Sequence, residues 1–189
     1  MNTITVAEEM VQSWQALYQD LFEAKIDFSN LRIPAHQQGY DRLIIVARGM
    51  TPDVIYHKCR ELFFGWKSNH KDLDEIVRSD RSGQNGAYAV WCRDTVEPDE
   101  DLMNLSAEDL KAKNIPCLTL EERLLFELKY YNETNWHLDP ETFTLCAGSR
   151  YTDGYVPTVR YRVTAVGLGI HWYDPEDRFA GMRARRVIL

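Results

Sequence analysis

The sequence predicts an α+β fold in which a helical N-terminal part, holding a short strand–helix unit, packs with a C-terminal antiparallel sheet. Three observations carry this reading. Apolar residues recur at three- and four-residue steps over residues 5–25 and 119–131. A wholly apolar, β-branched run, Leu43 to Ala47, leads into a helix start at Thr51-Pro52-Asp53. From about residue 142 onward, turn signals separate short strand-like segments. With 189 residues, 44% of them hydrophobic, the chain can bury a core as one globular domain spanning 1–189. Within it, 1–140 reads as a mostly helical lobe and 141–189 as a β-rich one.

Each element has a local reason. Met10, Val11, Trp14, Leu17, Tyr18, Leu21 and Phe22 form one stripe of a first helix, with Glu and Gln on its other face and a Thr5–Glu8 capping box at its start. The run Leu43 to Ala47 suits a strand buried on both faces. Thr51 then caps a helix, Pro52 takes its first position and Asp53 meets its dipole. Residues 66–86 are polar and read as connection, and Ala87 to Cys92 reads as the next strand. An acidic loop from Asp94 to Asp101 follows, then a short helix opening at Ser106. Thr119 and Glu122 form a capping box for a third main helix, whose stripe is Leu120, Leu124, Leu125, Leu128 and Tyr131. Strands are predicted over 143–146, 156–163 and 168–173, with Asp153-Gly154 and Asp174-Pro175 as turns and Met182 to Leu189 as a closing strand.

Composition bounds the function. No apolar run approaches the roughly 20 residues of a membrane span, and Met1 to Glu9 carries acids where an export signal carries lysines, so a cytoplasmic protein without a membrane partner is expected. Cys59, Cys92, Cys117 and Cys146 lack zinc-ligand spacing, and three of the four, Cys92, Cys117 and Cys146, sit among apolar neighbours, as reduced core thiols do. The net charge of −7 divides unevenly: residues 150–189 hold seven arginines and four acids, a balance of +3, leaving −10 for the rest. That acidic bulk argues against sequence-nonspecific DNA binding, while the basic tail marks an anion-binding face or an internal match to the acidic loop.

From Asn104 to Arg150 the chain resembles a family of small uncharacterised bacterial proteins. The likeness rests on Asn104-Leu105-Ser106-Ala107, Leu118-Thr119-Leu120, Glu122-Arg123-Leu124, Glu127-Leu128-Lys129-Tyr130 and His137-Leu138-Asp139. It continues through Thr144 to Tyr151, Asp153-Gly154 and Val156-Pro157. The resemblance implies no activity.

Candidate chemistry is concentrated in the tail. Cys146-Ala147-Gly148-Ser149-Arg150 could cradle an oxyanion, but three residues separate Cys from Arg where phosphatase loops have five, and apolar flanks oppose a thiolate. Arg160 and Arg162 leave one face of a strand, and Arg183 and Arg185 share a face of the last strand. Together with Arg150 and His171 they are expected to form one ligand-binding patch, with Tyr151, Tyr155 and Tyr173 as aromatic platforms. The acidic loop lacks the alternation and glycine of a calcium site, and neither a metal nor a cofactor is predicted. Two functions follow. The favoured one is a non-catalytic module that recognises an anionic small molecule or protein through an arginine-bearing sheet face. The alternative is a small enzyme on a phosphorylated or nucleotide substrate, using Arg150 with His171 or Cys146. A pocket holding those three together favours the enzyme; an open arginine face favours the module.

Overall fold

The computed structural model describes residues 6–164 and 167–189, and it is an α+β fold. The proposed Thr5 cap lies outside the described residues. The first helix, α1 (Val6–Phe22), buries Trp14, Leu17 and Tyr18. It lies along β1 (Arg42–Val46), where Trp14 Nε1 donates to the Leu43 carbonyl at 3.0 Å and Tyr18 Oη donates to that of Ile45 at 2.7 Å. Helix α2 (Pro52–Leu62) starts as read, with the Thr51 hydroxyl accepting from the Val54 N–H.

The polar stretch after α2 is structured. It contains β2 (Gly65–Lys67), α3 (Leu73–Ile76) and β3 (Val77–Ser79) before β4 (Tyr88–Cys92), which pairs antiparallel with β1. Helix α4 (Ala107–Ala112) and helix α5 (Leu120–Thr134) both open on complete capping boxes, Ser106 with Asp109 and Thr119 with Glu122. The C-terminal part supplies β5 (Phe143–Leu145), β6 (Ser149–Tyr151), β7 (Val156–Arg162), β8 (Gly167–Tyr173) and β9 (Met182–Arg183).

The main sheet has the order β2-β8-β7-β5-β9. Its centre is antiparallel, but both edges are parallel: β2 to β8 and β9 to β5. Strands from residues 65–79 therefore complete C-terminal partners, since β3 also pairs with β6. The closing strand is shorter than expected; beyond Arg183 it continues as isolated bridges, Cys117 with Arg186 and Trp91 with Ile188.

Helix α5 differs from its sequence reading in one respect. It packs on α1, α2, β1 and β7, and every residue from Leu120 to Lys129 is buried, not only the apolar stripe. Its charges are tolerated there because each meets a partner. Glu121 accepts from Ser79 Oγ, Glu122 from Arg81, Arg123 pairs with Asp139 and Glu127, and Lys129 donates to the Ser13 carbonyl. All four cysteines are buried and unpaired. Among the described residues, no helix is long and apolar enough to cross a membrane.

Candidate functional site

Strand β7 alternates across the main sheet. Val159 and Tyr161 face α5, whereas Thr158, Arg160 and Arg162 leave from the opposite face. The register with β8 sets His171 opposite Thr158, Gly169 opposite Arg160 and Gly167 opposite Arg162. On the outer edge, Trp66 of β2 pairs with Gly169. These glycines allow a close approach: a Cβ on Gly169 would stand 2.8 Å from the Trp66 ring, and one on Gly167 only 2.6 Å from the Phe64 ring. The indole therefore lies down on the sheet beside the arginines.

The polar groups of this face are partly unused. His171 Nδ1 shares a 2.7 Å hydrogen bond with Ser68 Oγ, but its buried Nε2, like Arg160 Nε, has no partner among the described residues. Neither Arg160 nor Arg162 is ion-paired to an acid among the described residues. Burial, followed by the charges of Arg162 and Arg160, holds the His171 imidazole below its ordinary pKa. Arg162 and Phe64 are exposed, while Arg160, Trp66 and His171 are half-buried. The face combines two cations, an imidazole, a hydroxyl and an aromatic surface, a set suited to an anion attached to a planar group.

The other predicted site residues go elsewhere, so the single patch does not form. Arg183 pairs with Thr144, which pairs with Val159, so it lies on the core-facing side of the sheet, opposite Arg160 and Arg162. It lines a groove with Arg93 and the acidic loop. Arg185 is fully buried and bound to Asp139, so it cannot meet a ligand. Arg150 donates to the carbonyls of Ala147 and Ser149 and lines a separate cleft with Asp80 and Lys111. Charge matching is the physical reason for Arg150 and Arg185: Arg185 answers Asp139, Arg150 comes within 3.9 Å of Glu108, and Arg178 likewise clasps Asp109 through two bonds of 2.8 and 2.9 Å, whereas Arg183 is paired to no acid among the described residues.

Cys146 is wholly buried, and burial raises its thiol well above the ordinary range, which removes the thiolate a nucleophile requires. The expected tyrosine platforms also fail. Tyr151 is buried, Tyr155 packs on Trp172, and Tyr173 stacks on Phe143. Trp66 takes that place, and only its proximity to Phe64 in an otherwise polar stretch signalled it in the sequence. No three His, Cys, Asp or Glu side chains among the described residues are grouped to hold a metal ion. Compared with protein-family models, curated proteins and solved structures, the chain matches none.

Proposed function

We propose that the protein is a non-catalytic binding module whose sheet face of Arg160, Arg162 and His171, flanked by Trp66, recognises an anionic small molecule or a protein bearing an anionic group. The observation that carries this is the pair of buried nitrogens, Arg160 Nε and His171 Nε2, without a partner among the described residues, on one face beside Arg162, which is ion-paired to none of them. Buried polar groups are ordinarily satisfied, and an anion lying along β7 and β8 would engage both. An enzyme on a phosphorylated substrate is the weaker reading, because Cys146 is sequestered and Arg150 stands on another strand pair. Four buried, reduced thiols agree with a cytoplasmic setting. The net charge of −7 still argues against nonspecific DNA binding.

Calorimetric titration with inorganic pyrophosphate tests this. Saturable binding that weakens with salt, and that is lost in the Arg160→Glu/Arg162→Glu variant without a change in thermal midpoint, is the expected result. Absence of binding, or binding indifferent to the charge reversal, would refute it.

A further inference from the structure

The other face of β7 builds a second site. Tyr161 leaves the strand opposite Arg160 and Arg162 and forms, with Val96, Tyr130, Tyr131, Trp136, His137 and neighbours, a cleft of about 480 Å³. None of the side chains lining it is charged, although 27% of the chain's residues are Asp, Glu, Lys or Arg. Trp136 is 73% exposed and Val163 63% exposed at this cleft, so large apolar surface is held in water there. A cleft of this size, mostly aromatic with a few polar points, has the make-up of a small-molecule site.

The polar point is His137, and it is held with unusual care. Helix α5 ends at Thr134, and Asn135 takes a left-handed conformation with φ of 58°, which turns the chain back over the helix. His137 then lies between two tyrosines, with ring centroids 3.5 Å from Tyr161 at 3° and 4.8 Å from Tyr131 at 25°. Phe63 packs perpendicular to it at 4.9 Å. Its Nδ1 meets Glu127 Oε1 at 2.8 Å; Glu127 is bound by Arg123, Arg123 by Asp139, and Asp139 by Arg185. Four fully buried charges, two of each sign, thus stand behind one imidazole. Because a carboxylate only accepts, Nδ1 carries a proton; in the neutral form of the ring Nε2 is then an acceptor, and it has no partner in the chain among the described residues.

We propose that this cleft binds an uncharged, planar heteroaromatic molecule of one or two fused rings, stacked against Trp136 and Tyr161 and giving an N–H to His137. The absence of charged lining residues selects against ionic ligands, since a charge entering the cleft would lose its hydration without gaining a counter-ion. The rings supply faces for stacking, and the fixed imidazole supplies direction.

The test is ligand-observed NMR and calorimetry on the full chain with indole as probe, 1-methylindole as a probe that cannot donate, and indole-3-carboxylate as a charged one. Indole should bind saturably and several-fold more tightly than either analogue. Trp136→Ala, at an exposed position, should weaken indole by about tenfold with an unchanged melting temperature. Val163→Asp, which brings a charge to the cleft, should weaken indole and not restore the carboxylate. His137→Gln should abolish the preference for indole over 1-methylindole, a readout that loss of packing alone would not move. The proposal falls if indole fails to saturate, if Trp136→Ala and Val163→Asp leave its affinity intact, or if sedimentation shows a second copy of the chain covering Trp136.

Discussion

Arg185 and Asp139 form a fully buried ion pair, with Nη2 2.6 Å from Oδ1. The guanidinium is saturated: it also donates to Thr144 Oγ1 and to the carbonyls of Thr95 and Val96, and it lies 5.2 Å from the centre of the Phe126 ring. Burial alone would raise the Asp139 carboxyl, but Arg123 and Arg185 more than offset it and hold the group below its usual range. Removing one partner leaves the other charge stranded. Arg185→Met should therefore cost about 3–5 kcal/mol in urea unfolding, and a loss below about 1 kcal/mol would show that the pair is not what fixes the residue.

The contrast with β7 gives the second prediction. Arg160 and Arg162 have no acid partner among the described residues to lose, so the double change to Glu should alter stability by no more than about 0.5 kcal/mol. Truncating Arg178 to Ala, which removes the clasp on Asp109 at the surface, should change stability little, because solvent screens that pair. A large loss in the Arg160/Arg162 variant would mean that these cations answer the chain's own acids.

Much of the fold was legible because its signals are local. The Thr51 cap, the Thr119–Glu122 capping box, the helix start at Ser106 and the strands 88–92 and 168–173 are each written in a few adjacent residues. Strands β2 and β3 were not, because three residues carry no period and each is a strand only through a partner about 70 to 100 residues away. The site divides the same way. Alternation placed Arg160 with Arg162 on one face, and the register of β7 with β8 brings His171 to it; whether an arginine meets an acid is a tertiary fact, and Arg185 reads no differently from Arg183 until Asp139 folds against it. Arg123, Glu127, His137 and Asp139 stand within seventeen residues of one another, yet nothing in their spacing announces a buried network.

Leu125 faces the main core and is wholly buried. Leu125→Ala should cost about 2–5 kcal/mol by removing buried surface and leaving a cavity, measured by chemical denaturation. A loss under 0.5 kcal/mol would show that the core closes around the truncation.

The thiols should be inert in the native state. Burial raises all four, with Cys92 and Cys117 pushed up to about 12. Labelling with a water-soluble disulfide reagent should proceed at the rate of unfolding, and all four should react together in denaturant. Fast reaction of any one of them in buffer would place it at the surface.

Glu121 provides the pH signature. It is 2% exposed at the start of α5, and burial pushes its carboxyl up from 4.5 to about 7, with the neighbouring charge of Glu122 adding to the rise and the Ser79 hydroxyl opposing it. A folded-state pKa above the unfolded one means that the native protein holds a proton the unfolded chain has released. The stabilisation is complete below about pH 4.5 and is lost as pH rises towards 7, at a limiting slope of about 1.4 kcal/mol per unit. Glu121→Gln removes the titration while its carbonyl can still accept from Ser79 Oγ, which bonds Glu121 at 2.7 Å. Unfolding free energies of both proteins between pH 5 and pH 8 should therefore converge at the acid end and separate at the alkaline end, with the variant the more stable there. Because every other group titrates alike in the two proteins, the difference isolates this carboxyl, and a difference that stays flat with pH would place its native pKa in the ordinary range.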